Sequence, residues 1–150
     1  MENNRIIVKA MCKITNDRNE MLLSGTYDKV KKDFYYRPLG GHVDFNERAI
    51  DTVKREFVEE INAEITNLEL LYIIENIFVC DGIPGHEIDY IFKGEFVNKE
   101  LYEQKEFSYF ESNGEKVKAF WIKPEDCFNG KYRLVPEELR DKLKEQHNGG

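Results

Sequence analysis

Five charged side chains, Glu47, Arg55, Glu56, Glu59 and Glu60, fall within one stretch, GGHVDFNERAIDTVKREFVEEINA from Gly40 to Ala63. At about 100° per residue a helix would put Ile50, Val53, Phe57 and Ile61 on one face, with Glu56, Glu59 and Glu60 on a neighbouring arc roughly 100° wide. Glu56 and Glu60 repel at i,i+4, and all three glutamates crowd the negative end of the helix dipole. Arg55 offsets only part of that charge. A divalent ion held by several hard oxygens, magnesium or manganese, would supply the remainder. The plain alternative is a solvated acidic helix end, in a chain with 34% charged residues.

The element that must position these groups has marked ends. Asn46 is a good N-cap and Glu47 suits the first turn, so the helix is expected to begin near Glu47. Asn62 follows the last turn, where a left-handed cap is needed, and Asn tolerates that conformation best after Gly.

Gly41, Glu47, Arg55, Glu56, Glu59 and Glu60 reproduce a fixed pattern: a Gly, five residues, a Glu, seven residues, then Arg-Glu-hydrophobic-any-Glu-Glu. This resembles the Nudix signature at all six fixed positions. A chance match at one register is on the order of 10⁻⁷ from ordinary residue usage. Asn62 stands where that family usually has Gly, and Ala63 matches the following hydrophobic position weakly.

The chain has 150 residues and 41% hydrophobic content, enough for one core and short for two, so a single domain over residues 1–150 is expected. Net charge is −7, which disfavours generic binding to nucleic acid or anionic membrane. Cys12, Cys80 and Cys127 form no paired motif and read as small buried hydrophobes in a reducing compartment. The N-terminal MENNRIIVKAMCK lacks a long apolar core, and the run from Leu68 to Cys80 is short and interrupted by Glu75. A cytoplasmic protein is the expectation.

Along the chain, Arg5 to Thr15 and Glu20 to Gly25 read as a hairpin around the turn cluster Asn16 to Asn19. Phe34, Tyr35 and Tyr36 lead through Arg37 and Pro38 to the glycines. They suit alternating strand positions, with base stacking as the second reading. Arg37 could meet a phosphate with its planar fork or lie on an ordinary surface. Leu68 to Val79 and Ile88 to Val97 form a second hairpin, with His86 and Glu87 opening the returning strand. Asn98 to Glu115 reads as a lid or loop carrying Glu103, Glu106, Glu111 and Glu115. Val117 to Ile122 reads as a strand and Pro136 to Gln146 as a helix, followed by a fraying Asn148-Gly149-Gly150. No internal repeat or linker divides the chain.

Strands, helix, strands and helix imply an α+β fold. The Nudix resemblance makes this an α/β/α sandwich with a mixed β-sheet between helices. It also implies a magnesium-dependent pyrophosphohydrolase, with manganese as the other metal, cleaving a nucleoside diphosphate linked to another moiety. ADP-ribose or another sugar nucleotide, a nucleoside triphosphate and a dinucleoside polyphosphate are the substrate classes. By the same resemblance Glu59 and Glu60 are the principal metal ligands, Glu56 a further ligand or the general base, and Gly40 adds a backbone carbonyl. Glu111 is a further ligand candidate. Arg55 and Glu47 orient the carboxylates. Glu87, Glu111 and Glu115 compete with Glu56 for the base, and Arg37, Tyr36 and Glu87 are candidate contacts to the substrate. The partner implied is a nucleotide-type diphosphate, with no stable nucleic-acid or membrane binding, on a monomer or homodimer. A nucleotide-sensing module that retained the metal site is the other class. An EF-hand calcium loop is excluded by the missing Asp/Asn alternation.

Overall fold

The computed structural model describes residues 4–111 and 113–149. Seven strands form one mixed sheet: β1 (Ile7–Ile14), β2 (Met21–Asp28), β3 (Asp33–His42), β4 (Ile65–Cys80), β5 (Ile83–Phe96), β6 (Glu106–Phe110) and β7 (Lys116–Ile122). Their order is β4-β5-β1-β3-β2-β7-β6. Only β1 and β5 run parallel, and the other neighbouring pairs are antiparallel. Helix α1 (Ala49–Ile61) covers one face through Val53 and Phe57, packed on Ala10, Cys12 and Leu39. On the other face α2 (Pro124–Phe128) and α3 (Glu137–Gly149) bury Cys127, Leu139 and Leu143 against Met11, Leu23 and Ile91. Alternation along each strand feeds these two layers: Ala10 and Cys12 point to one, Met11 to the other. This is the expected α/β/α sandwich.

Strand β3 carries the architecture. Its Leu39–His42 half pairs with β1, and its Asp33–Pro38 half pairs with β2. The expected hairpin of the first two strands therefore does not form: β3 lies between them, and only Thr15 bridges Met21 directly. The turn cluster is real, with Asn19 at positive φ and Asn16 accepting from the Arg18 and Glu20 amides. The error is in pairing, which a local turn signal does not specify. Opposite β2, the edge of β3 is closed by a late segment: Tyr36 donates its amide to Arg133 O at 2.8 Å and accepts from Val135 N at 2.9 Å.

The second hairpin forms and is longer than expected, turning at Asp81-Gly82, both at positive φ. His86 and Glu87 accordingly lie inside β5 and do not open it. Asn98 to Glu115 is not a free lid. It folds as a 3₁₀ turn (Lys99–Glu103) and β6, which pairs with β7, with Ser112 outside the described residues. The hydrophobic alternation of Phe107 and Tyr109, both buried, outweighs the polar residues around them. Helix α3 runs through Asn148 and Gly149, where fraying was expected, and Gly150 lies outside the described residues. Helix α2 gave little sequence signal beyond Pro124. No described helix is long and apolar enough to cross a membrane.

Candidate active site

Helix α1 starts two residues later than expected, at Ala49, with Arg48 in the cap position and no side-chain cap. Asn46 is not the cap. It takes φ 69° in a turn where Glu47 N donates to Asp44 O, a conformation Asn accepts more readily than most residues. Glu47 is thereby left outside the helix with its carboxylate facing back along it. It accepts from Thr52 Oγ1 at 2.8 Å and from Arg55 Nε at 2.8 Å and Nη2 at 3.0 Å.

Arg55 uses its whole fork. Besides Glu47, Nη2 donates to the His42 carbonyl at 3.1 Å, and Nη1 donates to Glu56 at 3.0 Å and to Glu59 at 3.1 Å. Asp44 lies 3.4 Å from Nη2. These bonds hold Glu47 well below the ordinary carboxylate range, at about 2. They also tie the start of α1, the end of β3 and the carboxylate row into one unit. Glu47 and Arg55, expected to orient the carboxylates, make these contacts. Thr52, Asp44 and the His42 carbonyl take part as well, and the spacing pattern gave no sign of them.

The glycines are explained by close approach. A Cβ on Gly40 would lie 2.0 Å from the Ala10 carbonyl oxygen. A Cβ on Gly41 would lie 2.5 Å from the Glu56 carboxyl carbon, so that carboxyl sits directly against the β3 backbone. At the far end, Asn62 adopts φ 53°, ψ 43°, and the amides of Asn62 and Ala63 return to Val58 O and Phe57 O. This is the left-handed cap anticipated for the Gly-to-Asn departure.

Glu56 and Glu60 are a strained pair. Burial raises both: Glu60 is pushed up to about 8 by burial first and the Glu56 charge second, while Glu56 is raised by burial and then by the Glu59 charge, against the pull of Arg55. Glu60 Oε1 is buried with no hydrogen-bond partner among the described residues. Such an orphaned oxygen costs free energy unless something cationic or protonated meets it. Glu59 is exposed and held by Arg55. The donor set of hard carboxylate oxygens fits a divalent ion.

Beside this row opens a cleft of about 590 Å³. Arg37, Glu87 and Glu111 line it, whereas Tyr36 does not. Tyr36 packs edge-on against Phe120 and Tyr132 in the α3-side core, and its neighbour Tyr35 faces the cleft. Arg37 is no surface residue. Its side chain is 15% exposed, its Nη2 lies 4.0 Å from Glu111, and its Nη1 is buried without a partner among the described residues. Burial works against its charge, but the surrounding Tyr109, Glu111, Glu60 and Glu87 hold its pKa above the ordinary value. Glu115 and Glu75 also border the cleft. Lys9 binds Glu87 at 2.9 Å, and Asp89 lies wholly buried nearby; neither was singled out from sequence. A carboxylate in the apolar run Ile88 to Phe92 was the available signal.

Asp28, Cys80 and Asp81 bring three metal-type ligand atoms within 4.8 Å. One oxygen of each carboxylate is already employed: Asp28 Oδ1 accepts from the amides of Val30, Lys31 and Asp81, and Asp81 Oδ1 from the amide of Lys29. The group pins two turns together. Cys12 and Cys127 are buried as expected, while Cys80 is half-buried with Sγ 3.4 Å from the Tyr35 hydroxyl.

The structure is an α/β/α sandwich whose helix α1 presents an arginine-clamped carboxylate row, with Glu60 close enough to the cleft residues Arg37 and Glu111 to feel their charges. The chain belongs to the Nudix family: the NUDIX domain description matches residues 6–143. Among solved structures it is similar to a NUDIX hydrolase from Nitrosomonas europaea, at 18% identity and TM-score 0.64, covering 97% of this chain and 90% of that one. A MutT protein from Methanosarcina mazei matches over 100% of both chains at 18% identity and TM-score 0.63. A MutT structure from work on Aliivibrio salmonicida and Vibrio cholerae matches at 20% identity and TM-score 0.60, over 94% and 96%. No curated protein matches the chain. At these identities the structural likeness speaks for the fold.

Proposed function

We propose that this hydrolase is a divalent-metal-dependent pyrophosphohydrolase that cleaves a nucleoside diphosphate linked to another moiety. The observation that carries this is the Glu56–Glu60 pair, two carboxylates held together at a cost, one with a buried oxygen lacking any partner. Glu56, Glu59 and Glu60 would hold magnesium or manganese, with the Gly40 carbonyl and Glu111 as further ligands. When bound, the metal neutralises phosphate oxygens and lowers the pKa of attacking water.

The chain's own residues supply the rest. Arg55 fixes the Glu56 and Glu59 carboxylates, and Glu47 fixes Arg55, so the row cannot swing away when substrate arrives. Arg37, buried with a free Nη1, is positioned to meet a phosphate oxygen of the substrate. Glu56 is the alternative general base where it is not a ligand, since burial raises its affinity for a proton above that of an ordinary carboxylate. Glu87, Glu111 and Glu115 compete with it from the cleft.

A substrate panel tests the proposal: ADP-ribose, other sugar nucleotides, nucleoside triphosphates and dinucleoside polyphosphates, each with magnesium, scored by released phosphate or nucleoside monophosphate. Metal-dependent release from at least one class is expected. Binding of these compounds without turnover in any of them would make the chain a nucleotide-sensing module.

A further inference from the structure

The cleft is lined by a polar cluster of which the diphosphate reading uses only Glu87, and that as an alternative base. Glu87 is 8% exposed and Asp89 0% exposed, two residues apart on β5, and Asn76 faces Glu87 across the β4–β5 ladder. Lys9 from β1 takes one Glu87 oxygen at 2.9 Å. Among the described residues neither Asp89 oxygen has a hydrogen-bond partner, although both are buried at the cavity wall. A carboxyl in that position lowers stability, and an apolar residue would serve packing better.

The surrounding charge narrows what could fill the space. Nine acidic and four basic side chains line the cleft. Two of the cations are engaged by carboxylates, Lys9 by Glu87 and Arg37 beside Glu111. Such a lining repels further phosphate beyond the diphosphate itself and accepts hydrogen bonds from N–H or O–H groups. Resting on the diphosphate reading above, we propose that Glu87, flanked by Lys9 and Asn76 and backed by Asp89, binds the non-phosphate moiety of the substrate through its hydrogen-bond donors, selecting an uncharged donor-bearing ring.

Asp89 acts here as a positioning residue. Burial and the adjacent Glu87 carboxylate raise its proton affinity, so Asp89 keeps its proton while Glu87 stays anionic with Lys9. With Asp89 protonated, the single negative charge of the pair stays on Glu87, an acceptor that lines the cleft. A nucleobase or a sugar could provide the donors, since ring N–H and hydroxyl groups make the same bond to a carboxylate.

Calorimetric titration of the full chain with magnesium separates these sources. The probes are methylenediphosphonate alone, a ribose methylenediphosphonate without a base, and the α,β-methylene analogues of ADP and UDP. Glu87→Gln should weaken the ring-bearing probes by about tenfold or more, as expected for loss of a charged hydrogen-bond acceptor, and leave methylenediphosphonate within about twofold. Loss shared by the ribose probe assigns the donors to hydroxyls; loss confined to the nucleoside analogues assigns them to the base. Equal loss for every probe, or none for any ring, overturns the assignment. Asp89→Asn should weaken the same probes while melting no lower than the wild type. A melting point lower by more than about 5 °C with unchanged binding would make Asp89 structural and overturn its positioning role. If the wild type ignores methylenediphosphonate but still binds the ring-bearing probes through Glu87, the diphosphate reading fails and the ring site stands.

Discussion

Glu60 concentrates the conflict in this site, because it is half-buried, beside Glu56, and short of a partner for Oε1. Replacing it with Gln removes charge at nearly constant volume. Glu60→Gln and Glu59→Gln should each lower turnover by orders of magnitude while the far-ultraviolet circular dichroism stays unchanged; near-normal turnover in both would remove the metal assignment. Arg55 is a separate test of geometry against charge. Lysine keeps the charge and loses the planar fork that spans Glu47, Glu56, Glu59 and the His42 carbonyl. Arg55→Lys should therefore reduce kcat by about 10- to 100-fold, in the range seen when residues supporting a metal site are changed. Recovery of most activity in the Lys variant would show that charge alone suffices.

At the scale of the element, helix α1 and the end of β3 fit each other through the absence of side chains. Gly41→Ala places a methyl where the Glu56 carboxyl now rests, a group at the end of a flexible side chain. The helix should survive and activity should not, with a melting point within a few degrees of the wild type and a severe loss of turnover. Gly40→Ala meets the β1 backbone instead and should unfold the protein at much lower temperature. These local relations were legible in the sequence because they depend on spacing within one helix and its approach. Asn62 as a left-handed cap, Val53 and Phe57 as the buried stripe, and Arg55 with Glu47 all follow from residues less than a few turns apart. The helix start was misplaced because Asn46 satisfies two local uses, cap and left-handed turn, and the geometry needed by Glu47 selects the second.

For the molecule as a whole, the carboxylate row should make stability depend on pH and, on the proposed reading, on divalent ions. Glu60 has its folded pKa raised to about 8 from 4.5. Its contribution is therefore fully present below about pH 4.5 and is lost as pH rises through about 8. Metal-free protein should lose melting temperature across that window, and Glu60→Gln should flatten the loss. Millimolar magnesium with a diphosphate should restore stability at the alkaline end by mass action, about 2.7 kcal/mol at 100 times the dissociation constant. Sodium chloride at equal ionic strength should do less. An identical response to both salts would mean a solvated acidic surface. What the sequence could not disclose lies at this scale. The cluster of Lys9, Asn76, Glu87 and Asp89 is assembled from three strands, and the pairing of β3 with both β1 and β2 depends on long-range competition that no turn signal encodes.

The closure of β3 by residues 133–135 also sets an order in time. Tyr36 must wait for partners about a hundred residues further along the chain. During synthesis at about 5–20 residues per second, β1, β2 and β3 emerge seconds before the segment that seals that edge. The nascent chain thus carries an open strand edge, bearing Phe34, Tyr35 and Tyr36, directly upstream of Gly40 and Gly41. A ribosome-bound chain halted before residue 133 should expose this stretch to protease and to chaperone, and release of the following residues should abruptly conceal it.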